Sequence, residues 1–163
     1  MNLLPIRDPA RVAAVVGLLT ARGETVATAE SLTAGLVAAT LTTVPGSSAV
    51  VRGGLVVYAT DLKTTLAGVP ADLLAEHGAV HPAVATALAD GARRVCGADW
   101  GVGLTGVAGP DPQDGVAPGR VYLGIARSGG VICSTLDLTG DRHTVRADAA
   151  AAAIDQLYAV LTG

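Results

Sequence analysis

Apolar positions follow two alternating rhythms along the chain. After Asp8-Pro9, the run Ala10 to Ala21 has helical spacing, with Asp8 as N-cap, Pro9 in the first turn and Arg22-Gly23 as its end. Thr25 to Ala29 is a short β-like segment, and a second helix runs from Ser31 or Thr33 to Thr42. Val44-Pro45-Gly46 closes that helix, and Ser47-Ser48 lies in the following turn. Val50 to Tyr58 reads as a strand broken by Gly53-Gly54, where a bulge or a close backbone approach is expected. Asp61 to Leu66, Pro70 to His77 and Pro82 to Val95 read as three helices, the second with Gly78 at its C-cap. Trp100 to Thr105 is a buried strand. Arg120 to Ala126 and Val131 to Leu138 are two strands joined by Arg127-Ser128-Gly129-Gly130, a hairpin signal. Thr144 to Leu161 is the closing helix.

The order is α-β-α-β-α-α-α-β-β-β-α, with no repeat and no linker, so residues 1–163 are expected to form a single domain. Strands alternating with helices place the chain in the α/β class. The expected fold is a three-layer α/β/α arrangement with a mixed, mostly parallel sheet and a C-terminal antiparallel hairpin. Gly106 to Gly119 is a long loop rich in Gly, Pro and Asp, and loops of that length inside compact domains are usually functional or disordered.

Composition sharpens this picture. Half of the residues are hydrophobic, yet aromatics are 2% and Phe is absent, so the core must be built from Ala, Val, Leu and Ile. A net charge of −3 argues against a nucleic-acid partner, which calls for a basic face. No run of eighteen apolar residues is present, so no membrane partner is expected. The opening Met1 to Pro5 lacks a basic region followed by an apolar one, so it is no secretory signal and a cytoplasmic location is expected. Cys96 and Cys133 fall in apolar segments and are expected to be buried free thiols.

Four polar clusters sit at strand ends or in Gly-rich turns, the edge where open α/β sheets form their sites. They are Glu30-Ser31-Leu32-Thr33, Tyr58 to Lys63, Thr105 to Asp111, and Gly140-Asp141-Arg142 with Arg146 one turn on. Ser31 is placed where a strand hands over to a helix. Its hydroxyl there is either a plain cap or a nucleophile with oxyanion donors beside it. No Ser-His-Asp triad is visible, so a base other than histidine is needed, and a lysine serves only if burial or charge depresses its pKa.

The clusters Thr28-Ala29-Glu30-Ser31-Leu32-Thr33, Tyr58-x4-Lys63, Thr105-Gly106-Val107-Ala108-Gly109-Pro110-Asp111 and Gly140-Asp141-Arg142-x3-Arg146 occur in that order. Together, from about Ala10 to the C-terminus, they resemble the CinA C-terminal domain family. Its enzymatic members are nicotinamide-nucleotide amidohydrolases, which convert nicotinamide mononucleotide to nicotinic acid mononucleotide and ammonia. The resemblance implies a serine-lysine amidase with no metal or other cofactor. It implies Ser31 as nucleophile, Lys63 as general base and Tyr58 as a proton-relay or positioning partner. The chain begins close to its first helix, which resembles the stand-alone form of the family. Ala34 and His81 depart from residues common in the family.

The substrate implied by the resemblance is a small-molecule nucleotide, whose phosphate and ribose need partners. The Gly106 to Gly109 turn lets backbone N–H groups approach an anion. Ser48 and Thr105 offer hydroxyls, and Arg142 with Arg146 a guanidinium fork. Glu30 and Thr33 are further substrate-binding candidates, with helix-dipole and capping roles as the alternatives. The Ala-rich run Ala147 to Ala153 suits close approach of a second subunit, and a homodimer is expected, as the resemblance also implies. The rival functional reading is a non-catalytic nucleotide-binding or regulatory module of the competence/damage-inducible type. A third is an amidase acting on a different substrate.

Overall fold

The computed structural model describes residues 4–163. Residues 1–3 of the opening segment, read above as lacking a leader, lie outside the described residues. The elements are α1 (Pro9–Arg22), β1 (Val26–Glu30), α2 (Leu36–Leu41), β2 (Val51–Val56), α3 (Thr60–Ala67), α4 (Ala71–His77), α5 (Pro82–Cys96), β3 (Trp100–Gly106), β4 (Arg120–Arg127), β5 (Gly130–Asp137) and α6 (Arg142–Thr162). A 3-10 turn, Ser47–Ala49, precedes β2.

Helix α1 shows why these residues take these states. The Asp8 carboxylate accepts from the Arg11 N–H at 3.0 Å, Pro9 needs no acceptor in the first turn, and Gly23 closes the helix in the left-handed region. Val12, Val15, Val16 and Leu19 recur at helical spacing and are buried, in the core that α6 shares.

The five strands lie in the order β2-β1-β3-β4-β5. Strand β1 pairs parallel with β2 and β3, and β3-β4-β5 run antiparallel. Helices α1, α2 and α6 pack on one face; α3, α4 and α5 pack on the other. This is the expected three-layer mixed fold. The expected irregularity in β2 is also present. The register shifts so that Val26 pairs with Val51 but Ala27 with Gly53, leaving Arg52 as the extra residue. A Cβ on Gly54 would lie 2.8 Å from Thr28 Oγ1 and 3.0 Å from Ala38 Cβ, so the close approach is real as well.

Two expectations are corrected. Helix α2 begins at Leu36, not at Ser31 or Thr33. Residues 31–35 form a turn in which Ala34 and Gly35 have φ of 47° and 95°. The left-handed pair reverses the chain before the helix can start. The thiols are not both buried: Cys96 is half-buried at the end of α5, and Cys133 is exposed on β5. β5 is an edge strand, so its outer flank has no neighbouring strand to cover it.

The sparing use of large side chains is explained by α5. A Cβ on Gly101 would meet Ala89 O at 1.9 Å, one on Gly103 would meet Ala89 N at 2.3 Å, and one on Gly124 would meet Ala85 O at 2.6 Å. The helix backbone therefore rests directly on the sheet. Parallel β1, β2 and β3 end on one edge, where β4 begins and β5 returns, so the start of α6 joins the same edge.

Gly103→Ala is expected to destabilise the protein by about 1–3 kcal/mol or more, because backbone must move to admit one methyl. Gly17→Ala, in an exposed stretch of α1 with nothing within 4 Å of the new Cβ, is expected to stabilise by about 0.5–1 kcal/mol. Thermal melts of the two variants test the pair; equal midpoints would contradict the packing argument.

Candidate active site

Strand β1 delivers two consecutive residues to the sheet edge with opposite duties. Glu30 is fully buried, and its carboxylate accepts four hydrogen bonds: from Thr28 Oγ1 at 3.0 Å, Gly35 N–H at 3.0 Å, Val37 N–H at 3.1 Å and Ala38 N–H at 2.9 Å. Three of these donors belong to the start of α2, whose own cap position has no side-chain bond. Glu30 thus caps a six-residue helix from the neighbouring strand, with its negative charge at the positive end of the helix. It does not border the cleft described below.

Ser31 follows it. Its N–H donates to Leu104 O at 3.1 Å, carrying the β1–β3 pairing one residue past the strand. Its Oγ lies 3.1 Å from Lys63 Nζ. Lys63 stands near the start of α3 and is 1% exposed. Its nitrogen also bonds Val57 O at 2.9 Å and Tyr58 O at 3.3 Å. Three partners match the three protons of an ammonium. They also match a neutral amine that donates two N–H bonds to the carbonyls and accepts the Ser31 O–H with its lone pair. Burial pushes the Lys63 pKa below its ordinary value, and the charge of Asp114 opposes that by pulling it up.

Asp114 was not singled out in the sequence. Its signal there was the Asp-Gly pair at 114–115, which marks a turn in the long loop. Its φ is 52°, and its carboxylate accepts from the Ala79 N–H at 3.0 Å. Thr105 Oγ1, buried at the end of β3, donates to Ala79 O at 2.6 Å. Ala79 is thereby clamped from both sides. His81, beside it, caps α5 by accepting from the Ala83 N–H at 3.2 Å and stacks on His77 with ring centroids 4.0 Å apart.

A cleft of about 300 Å³ opens above this edge, bordered by Ser31, Tyr58, Thr105, Gly106, Gly109 and Arg142 among others. Tyr58 is 57% exposed, and its link to Lys63 runs through its backbone carbonyl, not its phenol. The phenol oxygen instead accepts from Arg142 Nη2 at 2.7 Å, while Arg142 Nη1 donates to Gly109 O at 2.8 Å. Arg142 so ties α6, the β2–α3 turn and the glycine loop into one rim. Arg146 lies apart from the cleft, with its guanidinium on the carbonyls of Leu32 at 2.8 Å and Thr33 at 3.3 Å. Ser48 is exposed in the 3-10 turn and also lies away from the cleft. Thr33 is fully buried, and its hydroxyl has no partner among the described residues. Among the described residues no three His, Cys, Asp or Glu side chains converge as metal ligands. No helix among the described residues is long and apolar enough to cross a membrane.

Residues 10–161 match the profile of the CinA C-terminal domain. The chain belongs to that family. It is 45% identical over 149 residues to a CinA-like protein of Frankia casuarinae, covering 91% of this chain and 34% of that protein. It is 51% identical over 148 residues to a CinA-like protein of Anaeromyxobacter, covering 90% of this chain and 36% of that protein. The chain therefore spans about a third of the length of these curated relatives. The crystal structure of competence/damage inducible protein CihA from Agrobacterium tumefaciens superposes with a TM-score of 0.92 at 34% identity, covering 100% of both chains.

Glu30→Gln is expected to lower stability by about 1.5–3 kcal/mol, since a charged acceptor of several bonds is replaced by a neutral amide. A urea midpoint unchanged from the parent chain would refute the capping role.

Proposed function

We propose that this CinA-family domain hydrolyses the carboxamide of nicotinamide mononucleotide, releasing ammonia and nicotinic acid mononucleotide. The observation that carries the proposal is the 3.1 Å contact between Lys63 Nζ and Ser31 Oγ in a setting that disfavours the charged amine. A serine hydroxyl is a weak nucleophile until a neighbouring base takes its proton, and a desolvated lysine is such a base.

The steps follow from that pair. Ser31 Oγ attacks the carboxamide carbon as its proton passes to Lys63. The carbonyl oxygen becomes an oxyanion, for which the Leu32 N–H is a candidate donor: it meets no acceptor among the described residues, and Leu32 borders the cleft while the buried Thr33 does not. The C–N bond breaks as the departing nitrogen takes back the proton that Lys63 accepted, directly or relayed through the Tyr58 hydroxyl, and ammonia leaves with Lys63 neutral again. An ester on Ser31 remains. Water adds to it, giving a proton to Lys63, and as the C–O bond to Ser31 breaks Lys63 passes that proton to Ser31 Oγ, which releases the acid and restores the starting pair. Tyr58 receives a hydrogen bond from Arg142, which leaves its own O–H free to donate, and this suits it to the ammonia-release step. The glycine loop and Arg142 border the cleft and are suited to the anionic end of the substrate.

Asp114 favours a second reading. Its charge acts to keep Lys63 protonated, and a protonated Lys63 leaves a nucleotide-binding pocket without a base. That reading suits a regulatory module, in keeping with the competence/damage-inducible naming of the Agrobacterium relative.

Ammonia release from nicotinamide mononucleotide, its riboside and nicotinamide separates these readings. Turnover is expected to be fastest on the mononucleotide, and Ser31→Ala is expected to lose at least about a thousandfold in kcat. Binding of the mononucleotide with no ammonia released would favour the regulatory module.

The pH dependence has a definite sign. Activity is expected to rise with pH as Lys63 loses its proton, with the limb below the ordinary lysine value of about 10.4. Between the folded-state value and that of the unfolded chain, the unfolded chain binds the extra proton. Stability relative to Lys63→Met is therefore expected to increase with pH across that window. Urea unfolding of both proteins from neutral to alkaline pH measures it; a flat difference would rule out a depressed Lys63.

A further inference from the structure

Arg146 sits one turn after Arg142 on α6, yet it serves the turn behind Ser31 instead of the cleft. Nε donates to Leu32 O and Nη2 to Thr33 O, and among the described residues no carboxylate lies within ion-pair distance of it. An arginine unpaired by an acid keeps its full charge against those carbonyls.

A trans peptide is planar, with C=O and N–H on opposite sides. The Thr33 carbonyl accepts from the Leu36 N–H at 3.1 Å as well as from Arg146, so its direction is fixed by both and its polarisation by the charged partner; the Ala34 N–H of the same peptide points the other way and donates to Ser31 O at 3.0 Å. Holding the Ser31 carbonyl in turn directs the Leu32 N–H to the opposite side. That N–H meets no acceptor among the described residues, and Leu32 borders the cleft. Ser31's own N–H is already engaged by Leu104 O, so the Leu32 group is the free donor next to the nucleophile. The bonds form one series: guanidinium to Thr33 carbonyl, Ala34 N–H to Ser31 carbonyl, Leu32 N–H to the reacting oxygen. Each hydrogen bond in such a series polarises the next, and a charged head strengthens all of them.

We propose that Arg146 is a positioning residue: it orients and polarises the Ser31–Ala34 turn so that the Leu32 N–H acts as an oxyanion donor. This rests on the amidase reading above. It assigns Arg146 to the transition state of the reaction and not to the phosphate of the substrate, the role its pairing with Arg142 in sequence suggested.

The test uses the full chain with Arg146→Gln and Arg146→Lys, reading both the Leu32 amide proton by NMR and steady-state ammonia release. In Arg146→Gln the Leu32 amide proton is expected to move upfield, kcat to fall about 10- to 100-fold and KM for the mononucleotide to stay within about twofold. Arg146→Lys is expected to give a smaller change in both, and serves if the glutamine variant does not fold. Low, non-denaturing guanidinium is expected to restore part of kcat in Arg146→Gln, which a loss of mere packing would not allow. An unmoved Leu32 amide, or a raised KM with kcat retained, would overturn the proposal. If the parent chain releases no ammonia, the amidase reading fails by itself, while the Leu32 amide still decides whether Arg146 polarises the turn.

Discussion

Lys63 carries an amine into the interior, with only 1% of the residue exposed, and the edge of the sheet is organised around that amine. Taking a charged ammonium out of water costs several kcal/mol (an order-of-magnitude figure), so the nitrogen must be held by partners that accept its protons. Val57 and Tyr58 supply carbonyls and Ser31 a hydroxyl. The distances are set by the backbone ladder. The Val57 N–H donates to Glu30 O at 2.9 Å, extending the β1–β2 pairing to the residue just before the serine. Serine and lysine therefore meet because two parallel strands end level with each other.

Small residues elsewhere make that meeting possible. A Cβ on Gly91 would lie 2.0 Å from Ala67 O, so α3, which carries Lys63, lies directly on α5. Helix α5 in turn rests on the glycines of β3 and β4. A chain with larger residues at these positions would hold α3 away from the sheet and the amine away from the serine. Gly91, Gly101, Gly103 and Gly124 are thus linked to the reach of one side chain. The charge balance around the amine is set from farther away, by Asp114 in a turn whose backbone it holds in the left-handed region.

Much of this was legible in the residues. Asp8-Pro9 and Gly23 bracket α1, Gly53-Gly54 marks the irregular pairing of β2, and the hairpin signal at Arg127 to Gly130 falls at the β4–β5 turn. The contact of Ser31 with Lys63 also agrees with their motif positions. The start of α2 was not legible, because its cap is Glu30, a strand residue five positions upstream of the first donor it binds. Nor was the division between Arg142 and Arg146. Both lie on the first turns of one helix, and only the packing of α6 against the sheet sends one to Tyr58 and Gly109 and the other to Leu32 and Thr33.

Local chemistry was sufficient for the order of elements, the three layers and the sheet edge at which polar groups gather. Periodicity and turn residues act through the backbone of their immediate neighbours, so they can be read one segment at a time. Folding alone settled which groups touch: the fourfold engagement of Glu30, the exposed Cys133 on an edge strand, the phenol of Tyr58 turned to Arg142, and Asp114 brought to bear on Lys63. Those pairings join residues remote in the chain. Their energies depend on burial and on distances that exist only once the sheet and its two helical layers have closed around them.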